Sequence, residues 1–361
     1  MNPTTETMAA ITVEPPGFDI EVVAETVARE FALHGSYSQL VSERDQNFCL
    51  KTTDGEKFVI KITGLAEERT ATDFQIAVLN HIEECGLSCV PRIVRTVRGE
   101  KRSTITYDDG PEYCLRVVTW LRGRLLSDVE MTTDVAARFG RRLAEMDLAL
   151  KSFVCDGDGQ AGLWDMQEAS QLSSLLLHVV DEKVRYQVER VLSRFDKSVG
   201  LALANLPRQV IHNDANPENV LVDTDGMVSG FIDFGDALKA PRIIELATAA
   251  AYLRTGGEDP VQFIRAFIAG YHQRSPLSDA EFSLLFDLIR TRLSMTLIIL
   301  HWRLKARDED DPYRQKTLER ESDAFEFLIF LTDLGRDAFS RYLTEIITGV
   351  GGGSREAKHL I

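Results

Sequence analysis

The run His212-Asn213-Asp214-Ala215-Asn216-Pro217-Glu218-Asn219 sets a histidine, a carboxylate and a carboxamide at the spacing His-x-Asp-x-x-x-x-Asn. An apolar run, Val220-Leu221-Val222, a turn at Asp225-Gly226 and a second apolar run ending in Asp233-Phe234-Gly235 follow. These residue types in this order are the parts that kinases use for phosphoryl transfer to a hydroxyl. One carboxylate orients the hydroxyl and takes its proton, while an amide oxygen and a second carboxylate hold magnesium against the phosphates. Asp214 is the expected base and Asn219 and Asp233 the expected metal ligands, with a hairpin fixing their separation. His-x-Asp-x-x-x-x-Asn alone would arise by chance in roughly one chain in a hundred of this length. Both halves in order and at hairpin spacing make chance a poor explanation. His212 has no nucleophile beside it and reads as a brace, and Asn216 is placed to reach either substrate or backbone.

The wording IHNDANPENVLV together with NFCLKTTDGEKFVIKI resembles the aminoglycoside phosphotransferase and choline kinase branch of the protein kinase-like fold, and within it the hydroxylysine kinase-like group. The resemblance runs from about residue 40 to residue 335. It implies an α+β, bilobal chain with a small antiparallel-sheet lobe that binds nucleotide and a mainly helical catalytic lobe. It further implies Mg²⁺ and ATP or GTP as co-substrate. Lys61, on the alternating strand Phe58-Val59-Ile60-Lys61-Ile62, becomes the phosphate-binding lysine, against the bland reading of an edge-strand surface Lys. The loop 42–48 is expected over the phosphates, with Arg44, Gln46 and Asn47 as donors; a solvated turn is an equal reading. Residues 117–120 are expected to form the hinge, with Val118 and Trp120 against the purine and exposed backbone groups for its edge. Asp236, Glu245, Tyr252, Trp302 and Arg303 are candidates for the acceptor site. Structural pairing competes for Glu245, and core packing for Trp302.

The sequence departs from the kinase pattern twice. No Glu stands at the centre of the helix after Lys61: Ala77 fills that slot and leaves Asp73 or Gln75 as partner, with Glu67 and Glu68 as first-turn charges. The phosphate loop carries no glycine.

Periodicity fills in the supporting elements. A helix is predicted over 19–34 and strands over 37–41, 47–52 and 57–63, the last two joined by Asp54-Gly55. A helix over 70–84 presents Phe74, Ala77, Val78 and His81 on one face, with Gly86 at its C-terminus. Strands over 92–97, 103–107 and 113–120 complete a small lobe. Helices are predicted over 132–151, 166–195, 242–254, 260–273, 279–305 and 313–345. The expected division is a mobile leader 1–17, a nucleotide lobe 18–121, a helical lobe 122–349 and a flexible tail 350–361, with a solvated loop at 308–312.

Of the 361 residues 27% are charged, with a net charge of -15, which disfavours nucleic-acid or anionic-membrane partners. The five cysteines have no zinc-ligand spacing and read as free thiols of a reducing compartment. There is no run of about 18 apolar residues and no basic n-region of a secretory signal. The combined expectation is a cytoplasmic monomer or homodimer that phosphorylates the hydroxyl of a small amine or amino acid resembling 5-hydroxylysine. Aminoglycoside, choline, homoserine and sugar acceptors are alternatives. A catalytically silent nucleotide-binding kinase fold is the reading from another class; the joint presence of Lys61, Asp214, Asn219 and Asp233 argues against it.

Overall fold

The computed structural model describes residues 15–347 except 43, 108–109, 156–158, 160–161, 256–258 and 307–311. The expected leader up to residue 14, the tail 350–361 and the acidic stretch 308–311 lie outside the described residues. The described chain falls into two compact units. One takes the chain up to Val129 with Met146–Asp165 and Arg208–Ala240; the other takes Glu130–Glu145, Met166–Pro207 and the chain from Pro241.

The first unit opens with helix α1 (Ile20–Phe31) and strands β1 (Gly35–Leu40), β2 (Gln46–Thr52) and β3 (Lys57–Thr63). Helix α2 (Arg69–Glu84) and strands β4 (Ile93–Val94), β5 (Ser103–Thr106) and β6 (Glu112–Thr119) follow. The six strands form one antiparallel sheet in the order β1-β2-β3-β6-β4, with β5 also on β6. Alternation along β3 sends Ile60 and Ile62 into the core and leaves Lys61 on the other face. Val23, Val27 and Phe31, four residues apart on α1, close over Ile60, Ile62, Leu115 and Val117. Each such buried apolar side chain contributes about 1.5–3 kcal/mol. On the opposite face the register sets Asn47 against Lys61 and Lys61 against Arg116.

The buried face of α2 differs from the expected one. Ala77 and His81 are only partly covered, whereas Gln75, Ile76, Leu79 and Ile82 are buried. His81 Nε2 lies 3.0 Å from the Ala149 carbonyl, so that flank of the helix makes a polar contact. The expected strand 92–97 shrinks to Ile93–Val94, because only these two residues ladder with β6.

Five short strands make two smaller sheets: β7 (Arg124–Leu125), β8 (Arg208–Ile211), β9 (Val220–Val222), β10 (Val228–Phe231) and β11 (Leu238–Pro241). Their orders are β10-β9-β7 and β11-β8. Gly123 (φ 149°) lets the chain press against the β9–β10 hairpin, since a Cβ there would meet Ser229 Oγ at 2.6 Å.

Helix α3 (Thr133–Leu150) links residues of both units. The second unit is helical: α4 (Glu182–Arg194), α5 (Gly200–Leu203), α6 (Ile243–Ala250), α7 (Gln262–Arg274), α8 (Asp279–Ala306), α9 (Pro312–Leu334) and α10 (Arg336–Ile347). Its axis is α8, buried through Leu285, Ile289, Leu293 and Leu297 and packed against α4, α6, α9 and α10. Two expected helices are each divided. The span 166–195 becomes a 3₁₀ stretch, Met166–His178, and α4, because the Asp181 carboxylate accepts from Lys183 N and Val184 N and starts a new helix. The span 313–345 breaks at Gly335, whose φ of 76° ends α9. Among the described residues no helix is long and apolar enough to cross a membrane.

Candidate active site

The catalytic loop runs from β8 to β9 and is built on one buried ring. His212 is fully buried; its Nε2 lies 2.9 Å from the Ile232 carbonyl and its Nδ1 accepts from the Asp214 backbone N–H at 3.2 Å. The two contacts together call for the tautomer protonated on Nε2. They tie the Asp214 backbone to the residue preceding Asp233, so His212 braces the loop through hydrogen bonds. Ile232 N–H also donates to the Asn219 carbonyl at 2.9 Å, so the two expected metal ligands sit across a backbone hydrogen bond.

Asp214 is oriented from both sides. Asn216 Nδ2 donates to Oδ1 at 3.0 Å, and Asn219 Nδ2 donates to Oδ2 at 2.7 Å and to the Asp214 carbonyl at 3.0 Å. Asn216 Oδ1 in turn accepts from Glu218 N–H at 2.8 Å. Asn216 is thus an orienting residue that sequence reasoning left open. Each carboxylate oxygen of Asp214 has two lone pairs, so acceptor capacity remains for a substrate hydroxyl. Asn213 (φ 65°) and Asp233 (φ 62°) both hold the left-handed backbone that non-glycine residues seldom adopt, and both flank the expected reacting groups.

The second cluster is ionic. Lys61 Nζ lies 3.4 Å from Asp233 Oδ1 and 3.8 Å from Asp45 Oδ2. Arg44 Nη2 donates to Asp236 Oδ1 at 3.1 Å. The Lys61 ammonium foremost, with Arg44 and the Gly235 N–H, holds the Asp233 carboxyl far below the usual carboxylate range. Neither helix residue proposed as partner of Lys61 serves. Asp73 is bidentate with Arg102, and Gln75 accepts from Arg116 and donates to Glu67. The acid beside Lys61 that sequence reasoning missed is Asp45. Its signal was an acid just before β2, in the loop that has no glycine.

The other expected nucleotide residues divide. Gln46 is buried and both ends of its amide bind the Phe18 backbone at 2.9 Å, so it tethers the chain and offers nothing to phosphate. Asn47 shares the face of Lys61, and its Oδ1 is buried with no hydrogen-bond partner among the described residues. Val118 is buried in β6, while Trp120 is exposed beneath Lys57 Nζ, 5.1 Å from its ring centre. The expected free N–H groups of this segment are in use: Thr119 N–H donates to Arg92 O and Trp120 N–H to Lys57 O.

Of the acceptor candidates only Asp236 lies in the first unit, and its charge is taken by Arg44. Glu245, Tyr252, Trp302 and Arg303 belong to the second unit. Glu245 is fully buried on α6 and Trp302 half-buried on α8. The cation against Tyr252 is the protein's own Arg292, 5.9 Å from the ring centre.

The donor set fits a magnesium ion shared with phosphates. Asn219 uses its amide N–H₂ on Asp214, which leaves Oδ1 as a hard oxygen donor, and Asp233 is ionised and half exposed. No cluster of three or more His, Cys, Asp or Glu that could hold a metal occurs among the described residues. Magnesium bound through one or two protein oxygens and substrate phosphates requires none.

Comparison with known proteins gives the family and the fold. The pattern of the APH phosphotransferase enzyme family matches residues 36–282. Hydroxylysine kinase of Bos taurus is 25% identical over 348 residues, 90% of this chain and 92% of that protein. Homoserine kinase of Brucella anthropi is 28% identical over 246 residues, 66% of this chain and 69% of that protein. Among solved structures, an amicoumacin kinase in complex with AMP-PNP, Ca²⁺ and Ami has the same fold, with a TM-score of 0.66 at 17% identity over 92% of this chain and 94% of that one.

Proposed function

The chain belongs to the phosphotransferase enzyme family as a small-molecule kinase with a hydroxyl acceptor, and we propose that it moves the γ-phosphoryl of ATP or GTP to 5-hydroxylysine or a close hydroxy amino acid. The observation that carries the acceptor class is the match to hydroxylysine kinases along nine-tenths of both chains. The homoserine kinases are also named for a hydroxy amino acid. The complex of the amicoumacin kinase with AMP-PNP and Ca²⁺ supports a nucleotide and a divalent ion as the other components.

Asp214 would accept the substrate hydroxyl hydrogen bond and take its proton as the new oxygen–phosphorus bond forms and the bond from the γ-phosphorus to the β–γ bridging oxygen breaks, leaving nucleoside diphosphate. Positioning contributes most of the acceleration in such reactions, which suits a carboxylate fixed by two asparagines. Asn219 Oδ1 and Asp233 would hold magnesium, which when bound supplies charge neutralisation at the phosphate oxygens. Lys61, now on Asp233 and Asp45, would turn to phosphate, as would Arg44 after leaving Asp236.

The test is a set of specificity constants for 5-hydroxylysine, homoserine, choline, ethanolamine and kanamycin with both nucleotides under one condition. 5-Hydroxylysine is expected to lead by at least tenfold. A tenfold lead for kanamycin would remove the acceptor reading and leave the kinase class standing. Failure of every acceptor with both nucleotides would put the silent nucleotide-binding fold in its place.

A further inference from the structure

Within this acidic chain, the second unit gathers five cations around two grooves that share residues. Arg190, Arg194 and Lys197 follow one another at i, i+4 and i+7 along α4 and the π turn after it, a row in which like charges repel. Arg290 of α8 and Arg336 of α10 complete the group. Arg190, Arg194, Lys197 and Arg290 line a groove of about 500 Å³, and a smaller one of about 260 Å³ shares Arg190, Arg194 and Arg290 with it and adds Arg336. The larger volume is in the range of small-molecule sites.

The carboxylates present do not balance these charges. Asp287 is buried and serves both Arg194, at 3.0 Å, and Arg336. Glu189 lines the larger groove and Asp337 adjoins Arg336. Arg290 is half-buried: Nη2 donates to Thr332 Oγ1 at 3.1 Å, while Nε is buried with no hydrogen-bond partner among the described residues. Burial and the adjacent charges of Arg190 and Arg194 pull the Arg290 guanidinium below its ordinary value. A donor left unpaired and cations set against one another are features that a bound anion would relieve.

We propose that this groove binds a small molecule carrying two or more phosphate groups, apart from the nucleotide bound for phosphoryl transfer. Guanidinium groups match phosphate oxygens in bidentate fashion, and a diphosphate offers enough oxygens for several of them at once. Arg190 already lies 5.6 Å from the centre of the exposed Tyr186 ring, leaving an aromatic wall beside the charge.

The probe is inorganic pyrophosphate, titrated calorimetrically into the full chain at fixed ionic strength with sulfate as control. The protein carries Lys61→Ala, so that the catalytic cluster contributes little. Binding is expected to persist in Lys61→Ala and to weaken at least tenfold when Arg190→Gln and Lys197→Gln are added. Both of these residues are exposed, so the fold is not at risk. Arg290→Gln is expected to weaken it further. On the same background, displacement by a nucleoside diphosphate but not by O-phosphoethanolamine upholds the site, and equal displacement by that monophosphate overturns the requirement for two phosphates. The proposal is overturned if Lys61→Ala alone abolishes binding, if the Arg190→Gln, Lys197→Gln pair leaves it unchanged, or if sulfate binds as tightly.

Discussion

The catalytic loop and the strand that carries Lys61 are held by opposite means. Around Asp214 the bonds come from Asn216 and Asn219 to its carboxylate and run from its N–H to the buried His212 imidazole, all within five residues. Around Lys61 the contacts are ion pairs with Asp233, 172 positions away, and Asp45, and beside them Arg44 pairs with Asp236, 192 positions away, on groups that water still reaches. A buried polar group left without its partner costs about 1–3 kcal/mol. An exposed ion pair is worth about 0–1 kcal/mol. The loop is therefore rigidly held, while the ionic cluster is an exchangeable arrangement whose cations are held weakly enough to change partner.

The largest expected effect falls on the rigid side. Asp214→Asn should lower kcat by roughly 10²–10⁴-fold, the usual worth of a positioned proton acceptor, with nucleotide affinity nearly unchanged. Nucleoside diphosphate release and nucleotide titration read the two quantities, and a variant near wild-type rate would break the assignment. Asp233→Ala comes next: metal-dependent nucleotide affinity should fall by at least about tenfold, because a strong protein charge on the ion is removed. Equal calorimetric affinities with and without the substitution would show that the ion is held elsewhere.

Two further variants bear on the comparison itself. His212→Ala leaves the Ile232 carbonyl and the Asp214 N–H unpaired and should cost about 1–3 kcal/mol for each group in urea unfolding. Lys61→Met should cost within about 1 kcal/mol. Equal losses would erase the distinction between rigid loop and exchangeable cluster. Acidity sharpens it. Asp233 is depressed, so its contribution is complete above the unfolded value near pH 3.9 and is lost as pH falls through the lower folded value. The stability gap between wild-type apoprotein and Lys61→Met should hold from neutral pH down to about 4 and shrink below it. A gap that widened in acid would assign the depression to another group. The smallest effect is expected from Asp45→Asn, which removes a pair at 3.8 Å and should change the KM for nucleotide by about twofold to fivefold.

The same contrast governs what could be read in the residues. The order His212, Asp214, Asn219, Asp233 is local, and the strand alternation that exposes Lys61 while burying Ile60 and Ile62 is local too. The antiparallel sheet and the helical remainder followed from such patterns, and the family resemblance is shown. The partner of Lys61 was not legible, because Asp45 and Asp233 reach it only through tertiary packing and because Arg116 claims Gln75. Gln46 misled for a related reason: its type suits a phosphate donor, and only the path of Phe18 reveals it as a tether. Helix lengths failed at Asp181 and Gly335, where a single cap or left-handed residue overrides a continuing apolar period.

The first unit is drawn from three separated stretches of chain, and this imposes an order in time on its assembly. Asp233 is synthesised 172 residues after Lys61. At about 5–20 residues per second, roughly 9–34 s separate the two on the ribosome. The strands β1 to β6 are all made by Thr119, and their pairings are complete among themselves. A nascent chain released before Arg208 would carry every strand of that sheet, with Lys61 in place, and no part of the Asp214 loop.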